Sequence, residues 1–340
     1  MTNNRYLYSL WDLSFLMQRN LYMISKGKDI GEYGPSDVIK MILQSVRKIA
    51  RDWGITSDKI IFLADRWSSD YNGYFRTAIL RGEYKIDRVY ITEEVVEEMK
   101  KDPSKTPEEI HEAELQAYFN KVKYITKWGL VKDLKNLGIP VLMEEGYEYD
   151  DLVYVASNVL YGKNNGKKSV IVTKDSDLMY STSPQMDLFR MKSGKSEAKL
   201  VTYDEMYYKI PESLRNRGIT LYQYKAFLDS LGFGHNAMTV TRKAYCTNTE
   251  STILKILNGD YSDVEDVDTF NKQMLSFDVS KFPNIDKVVN MINEDFPTIG
   301  KIGSLEDFHS FCSKYKIEGI SDKYFSELVG DLDPNLYTKY

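Results

Sequence analysis

The chain has 340 residues, more than the usual domain of about 100 to 200, which leaves room for one large domain or for a domain with an appended module. Its 42% hydrophobic and 28% charged residues are those of an ordinary globular protein and exclude a disordered or fibrous chain. The net charge of −5 does not point to nucleic acid, but binding depends on where basic residues cluster, and a carboxylate metal site lowers net charge by itself.

The opening MTNNRYLYSLWDLSF has no basic leader followed by an apolar run, and nothing approaches about 18 consecutive apolar residues, so a cytoplasmic protein without a membrane partner is expected. Cys246 and Cys312 lie far apart with no paired Cys or His nearby, which excludes a disulfide framework or zinc finger. His111, His235 and His309 are equally scattered. Any catalytic metal is therefore expected on oxygen ligands.

In chain order, strand-like and helix-like segments alternate: Leu7 to Trp11, Val38 to Asp52, Lys59 to Ala64, Ile139 to Met143, Asp150 to Tyr161 and Ser169 to Thr173. That alternation predicts an α/β fold with a mostly parallel central sheet flanked by helices. Ligands of such sheets sit beyond the carboxyl ends of the strands, where the sequence places Asp12, Asp65, Glu148 and Asp175. No glycine-rich phosphate loop follows the first strand, which argues against a nucleotide-binding protein.

A long excursion runs from Arg81 to Leu137, first polar and then helical, with Lys121, Lys123, Lys127 and Lys132 on it. Connections of that length are functional or disordered. Thr106 with Glu109 three residues on predicts a capped helix start. From about Leu200 the pattern turns helical, with turn signals at Pro211, Gly232 to Asn236 and Gly259.

EGYEYDDLVYVASNVL puts Glu148, Asp150 and Asp151 at the start of an amphipathic helix. Acids there serve the helix dipole in any protein. VIVTKDSDLMY runs a buried-looking strand into Asp175 and Asp177, a spacing also common in turns. Together the two clusters begin elements of one α/β unit and converge on one sheet edge. With Asp12 and Asp65 they make seven carboxylates whose repulsion only a cation can balance. Mg²⁺ or Mn²⁺ prefers such oxygens, and two ions about 4 Å apart can activate water against a phosphodiester.

YFRTAILRGEYKIDR, after Asp65, supplies Arg76, Arg81, Lys85 and Arg88 among Tyr74, Phe75 and Tyr84. Cations interleaved with aromatics can hold phosphates and stack an unpaired base; a solvated helix face is the plainer reading. Lys85 and Arg88 are the candidates to stabilise charge on a reacting phosphate.

DLS near the start, a strand ending in Asp, FR…EYKIDR, EYDD and DSD occur in the order seen in bacteriophage 5′ nucleases, over roughly residues 5 to 290. The chain resembles the phage ribonuclease H and 5′–3′ exonuclease branch of the flap endonuclease superfamily. The resemblance implies a PIN-like nuclease core over residues 1–200 with a helical arch at about 86–137. It also implies a helical DNA-binding half over 201–340 containing a helix-turn-helix-like element.

It further implies that Asp12, Asp65, Glu148, Asp150, Asp151, Asp175 and Asp177 bind two Mg²⁺ or Mn²⁺ ions. Asp175 and Asp177 would serve catalysis directly, together with Lys85 and Arg88. Arg76, Arg81, Tyr84, Lys85 and Arg88 would contact a strand with a 5′ end, flap or fork, in DNA or an RNA-DNA hybrid. The implied setting is a monomer at a replication fork in phage-infected cytoplasm, beside replication proteins. One departure stands out. Where the family has a G-D-x-x-D-N motif completing the second metal site, this chain reads YKAFLDSLGFGHNAM, with Ser230 and Phe233 or Gly234 in place of acids. Asp229 is one residue off, and NGDYSD with Asp260 and Asp263 comes about 30 residues later. A catalytically weakened member that binds branched DNA is the alternative these missing acids raise.

Overall fold

A computed structural model describes residues 5–55, 57–70, 73–80, 91–160, 166–192, 197–231, 249–298 and 304–318. Arg81, Tyr84, Lys85, Arg88, Phe233 and Gly234 lie outside the described residues.

Strand β1 (Tyr6–Asp12) runs straight into helix α1 (Leu13–Ser25), because Asp12 both ends the strand and caps the helix. Helix α2 (Pro35–Trp53) buries Val38, Ile39, Ile42, Leu43 and Val46 on one face, at the three- and four-residue spacing of a helix stripe. Each such side chain contributes about 1.5–3 kcal/mol on burial. Gly54, at φ 63°, ends it in the left-handed conformation. Then come β2 (Ser57–Leu63), α3 (Phe75–Ile79), α4 (Glu93–Met99), α5 (Pro107–Asn136), the short β3 (Val141–Leu142), α6 (Tyr149–Leu160) and β4 (Ser169–Thr173). A 3-10 turn at Asp177–Ser181 precedes β5 (Met186–Arg190) and β6 (Lys199–Val201). Helices complete the order: α7 (Tyr203–Tyr207), α8 (Glu212–Arg215), α9 (Leu221–Ser230), α10 (Thr249–Leu257), α11 (Val267–Ser276), α12 (Ile285–Thr298) and α13 (Leu305–Lys314).

Strands β3, β2 and β1 lie side by side in that order, as do β4, β5 and β6. Pairing is parallel between β1 and β2, β2 and β3, and β4 and β5, and antiparallel between β5 and β6. The α/β class with a mostly parallel sheet is thus the one the alternating pattern predicts. All five residues of β4 are buried, which is why Val170, Ile171 and Val172 follow one another without polar alternation.

The chain divides into two compact units, each drawn from separate stretches: Met1–Ala64, Asp87–Leu142 and Glu294–Tyr340 in the first, Asp65–Ile86 and Met143–Asn293 in the second. In the first, α5 opens with the expected capping box, Glu109 N–H donating to Thr106 Oγ1 at 3.2 Å and Thr106 N–H to Glu109 Oε2 at 2.9 Å. Val96 of α4 packs on Ala113 and Ala117 of α5, and Tyr118 donates its hydroxyl to the Tyr33 carbonyl at 2.6 Å. Helix α13 is fixed to α5 through Asp133, which accepts from Lys314 Nζ at 2.6 Å and from the Tyr315 hydroxyl at 2.5 Å.

In the second unit, the segment after β2 is laced to the turn before α6. Arg66 N–H donates to the Tyr147 carbonyl at 3.0 Å, Gly146 N–H to the Arg66 carbonyl at 2.9 Å, and Phe75 N–H to the Gly146 carbonyl at 2.7 Å. Glu145 accepts from Arg66 and from Ser68 Oγ. Phe282 packs its ring against both Phe75 and Tyr147. These bonds set where Asp65 and Glu148 lie. Among the described residues no helix is long and apolar enough to cross a membrane.

Candidate functional site

Asp12 belongs to the first unit. It is buried, and its Oδ1 accepts from Phe15 N–H at 2.8 Å, the N-cap bond of α1.

The other candidate acids belong to the second unit. Asp65 lies two residues beyond β2, half-buried, and its Oδ1 accepts from Tyr149 N–H, the first residue of α6, at 2.6 Å. Glu148 precedes that helix and is 4% exposed. Its carbonyl accepts from Leu152 N–H, and its own N–H donates to Asp151 Oδ2 at 3.1 Å. Asp151, fully buried, is therefore the residue that reaches back to close the helix start. Asp150, on the same first turn, is half-buried.

The charge of this pair is met inside the protein. Arg76, on α3 and 3% exposed, sets its guanidinium 2.5 Å from Asp151 Oδ1 and 3.8 Å from Glu148 Oε2. Burial pushes the Asp151 carboxyl up, to about 6, with Arg76 pulling it back down and Glu148 adding to the rise. Removing one member of a buried ion pair like this costs about 3–5 kcal/mol. The sequence expectation gave Arg76 a phosphate-contacting role, with a solvated helix face as the plainer reading; the structure buries it beside Asp151 and Glu148.

Asp175 follows β4 and is exposed. Its Oδ1 accepts from Asp177 N–H at 2.8 Å, and its own N–H donates to Thr173 Oγ1 at 3.1 Å, so the DSD segment is a side-chain-closed turn. The 3-10 turn that begins at Asp177 packs against both α6 and α9. On α9, Asp229 is 2% exposed and its Oδ2 lies 2.5 Å from Lys225 Nζ. Tyr180, in the 3-10 turn, has its hydroxyl pKa raised by burial first, then by Tyr224, Asp177 and Asp229.

Asp260 and Asp263 occupy the connection between α10 and α11. Asp260 accepts from Ser262 N–H, and Asp263 from Lys255 Nζ at 2.8 Å and from Thr252 Oγ1 at 3.2 Å, all local partners.

A structure of the T5 D15 protein co-crystallised with metal ions aligns with 86% of this chain and 99% of its own, at 12% identity and a TM-score of 0.53. The chain has the fold of that protein. Two more T5 structures, a 5′-exonuclease with bound zinc and the bacteriophage T5 D15 flap endonuclease with DNA and metal ions, align at TM-scores of 0.45 and 0.46 and identities of 12% and 11%. They cover 91% and 95% of this chain and 98% and 97% of theirs. No protein-family model and no curated protein matches the sequence.

In this fold, Asp65, Glu148, Asp150, Asp175 and Asp177 stand on segments that are bonded or packed together within one unit. Their donor chemistry, carboxylate oxygen throughout, fits a hard divalent ion such as Mg²⁺ or Mn²⁺. Among the described residues no three acidic, His or Cys side chains stand close enough to hold an ion. Asp151 and Asp229 fit least, since a buried basic side chain already meets each of them. Sequence reading missed Lys225 as well as the burial of Arg76. Lys225 and Asp229 are four residues apart on a helix, a spacing that signals an ion pair. Nothing in the sequence marks Arg76 as the partner of an acid 75 residues away.

Proposed function

We propose that the chain is a divalent-metal-dependent, structure-specific 5′ nuclease that hydrolyses a phosphodiester near the 5′ end of DNA or an RNA-DNA hybrid, removing flaps or RNA primers in phage-type replication. The observation that carries this reading is the packing of the 3-10 turn that Asp177 begins, at the end of the DSD segment, against α6, the helix that Glu148 and Asp150 open. It joins two of the motifs whose order resembles phage 5′ nucleases, and the fold likeness supports it.

Asp65, Asp150, Asp175 and Asp177, with Glu148 beside Arg76, would hold Mg²⁺ or Mn²⁺; for Asp12 the ligand role rests on the sequence alone. A bound ion supplies activation of water and stabilisation of the departing oxygen. The chain's own part is to present carboxylates from fixed backbone positions, Asp65 through its bond to Tyr149 and Asp175 through the Asp177 N–H. Lys85 and Arg88 keep the phosphate-contacting role proposed from EYKIDR, with Arg81 and Tyr84 beside them.

The test is cleavage of a 5′-flap duplex and an RNA-primed duplex, with Mg²⁺ or Mn²⁺ and with chelator. Metal-dependent product that disappears in Asp175→Ala is expected. Full cleavage by Asp175→Ala, or none by wild type with either ion, ends the proposal. A second reading, a weakened relative that binds branched DNA without turnover, is favoured by the Lys225–Asp229 pair where a further metal-binding acid was sought. Flap binding by gel shift in the absence of any cleavage would establish it.

A further inference from the structure

The ring of Phe277, which follows α11, carries cations from two different elements. Arg76 of α3 lies 5.2 Å from its centroid and Lys225 of α9 lies 4.7 Å from it. Both cations are buried, and each has a buried acid of its own, Asp151 for Arg76 and Asp229 for Lys225, at 2.5 Å in both pairs. The ring adds its own attraction for each charge. Two helices and the start of a third are thereby tied through one aromatic side chain.

Asp151 has both oxygens engaged, Oδ1 by the Arg76 guanidinium and Oδ2 by the Glu148 N–H. A divalent ion could take it only by opening a buried ion pair and the end of a helix together. Asp229 has its Oδ2 engaged by Lys225 within α9, and α9 packs against the 3-10 turn that Asp177 opens. Guanidinium suits the first place, because its fork spans Asp151 and Glu148; a compact ammonium suits the second, which has one acid to meet.

We propose that Arg76 and Lys225 are built-in counter-cations of the acidic centre, and that Asp151 and Asp229 are positioning residues that hold them, not ligands of a divalent ion. Asp151 then acts through Arg76 and the Glu148 N–H to fix the start of α6, and with it Glu148 and Asp150. Lys225 supplies beside the DSD turn positive charge that a second ion would otherwise bring. The part of this concerning ions rests on the metal-dependent reading above; the part concerning the two pairs does not.

The two parts separate in an experiment without nucleic acid: thermal unfolding of the full chain free of metal, and Mn²⁺ titration followed by paramagnetic resonance of the free ion. Asp151→Asn and Asp229→Asn should each lower the metal-free Tm, because each strands a buried cation. Removing a true ligand relieves repulsion among acids and leaves that Tm unchanged or higher. Both variants should lose less Mn²⁺ affinity than Asp175→Asn measured alongside, and Arg76→Lys should regain part of the Tm lost in Arg76→Gln. An unchanged or raised metal-free Tm in either Asn variant overturns the proposal for that pair. So does an affinity loss equal to that of Asp175→Asn. Should a single variant not fold, Lys225→Met combined with Asp229→Leu removes both charges at similar volume: a folded protein with wild-type Mn²⁺ affinity supports the proposal, and lost affinity overturns it. If wild type takes up no Mn²⁺, the metal reading fails, and the sign of the Tm change still decides the counter-cation roles.

Discussion

Asp65 accepts the backbone N–H of Tyr149 across 84 residues of sequence, at 2.6 Å. A carboxylate from the end of one strand thus satisfies a donor at the opening of α6, a bond that helices ordinarily obtain from a residue just before them. The bond fixes the carboxylate's position and contributes to stability through the same oxygen.

Replacing Asp65 by Ala and by Asn separates that hydrogen bond from the charge. Both variants lose the negative charge, but Asn keeps an oxygen that can accept from Tyr149. Urea unfolding should show the Asn variant more stable than the Ala variant by about 1–2 kcal/mol. Equal midpoints and slopes would mean that the bond contributes nothing.

A second prediction concerns Gly129, inside α5, where an added Cβ would come 2.7 Å from the Tyr315 hydroxyl. Gly to Ala in a helix interior normally stabilises by about 1 kcal/mol. Here the methyl group would push Tyr315 off Asp133, so Gly129→Ala alone should be neutral or destabilising. In a Tyr315→Phe background, where that hydrogen bond is already absent, the same change should stabilise by up to about 1 kcal/mol. The same effect in both backgrounds would dispose of the close approach as the reason for glycine.

Asp133 makes the docking of α13 sensitive to acid. Burial raises its pKa, but Lys314 and Tyr315 outweigh that, and the net direction is down. A depressed carboxylate contributes stability above its unfolded pKa of about 3.9 and loses it as pH falls through the lower folded value. Hydrogen exchange in α13, taken relative to the intrinsic rate at each pH, should therefore be flat from neutrality to about pH 5 and rise below about pH 4. Asp133→Asn should exchange faster throughout, with a weaker dependence in that range. A wild-type rise confined to pH above 5 would assign the effect to another group.

Elements with strong local signals were legible in the sequence. Ser169–Thr173 is a strand at its expected limits because its centre, Val170 to Val172, is an unbroken β-branched apolar run, as a strand buried on both faces requires. The Thr106–Glu109 box shows because a helix cap is a local motif. Strands β5 and β6 carry no such mark, since MDLFR and KLV become strands only by pairing with neighbours. At the site, the acids of EYDD and DSD could be picked out by type and place, but not by what each faces. Arg76 reads as one more basic residue in a basic stretch. Its burial depends on Asp151 and Phe277, both far along the chain, and no periodicity encodes that.

The most literal sequence match to the absent family motif, NGDYSD, is the last point open to measurement. Asp260 and Asp263 hold Ser262, Lys255 and Thr252, partners no more than eleven residues away. Hydrogen bonds from Ser262 lower the Asp260 pKa first, with nearby Lys255 adding to the fall, as in any turn that closes on an Asp side chain. On the proposed nuclease reading, if this connection only links α10 to α11, Asp260→Ala with Asp263→Ala should leave Mg²⁺-dependent flap cleavage within about twofold of wild type, a barrier change of only about 0.4 kcal/mol, and lower Tm slightly. Asp175→Ala, in the same assay, should abolish cleavage. A hundredfold loss in the double variant, with Tm little changed, would move the second metal site to α10 and α11 and return the departure at Ser230 to a simple displacement of the motif along the chain.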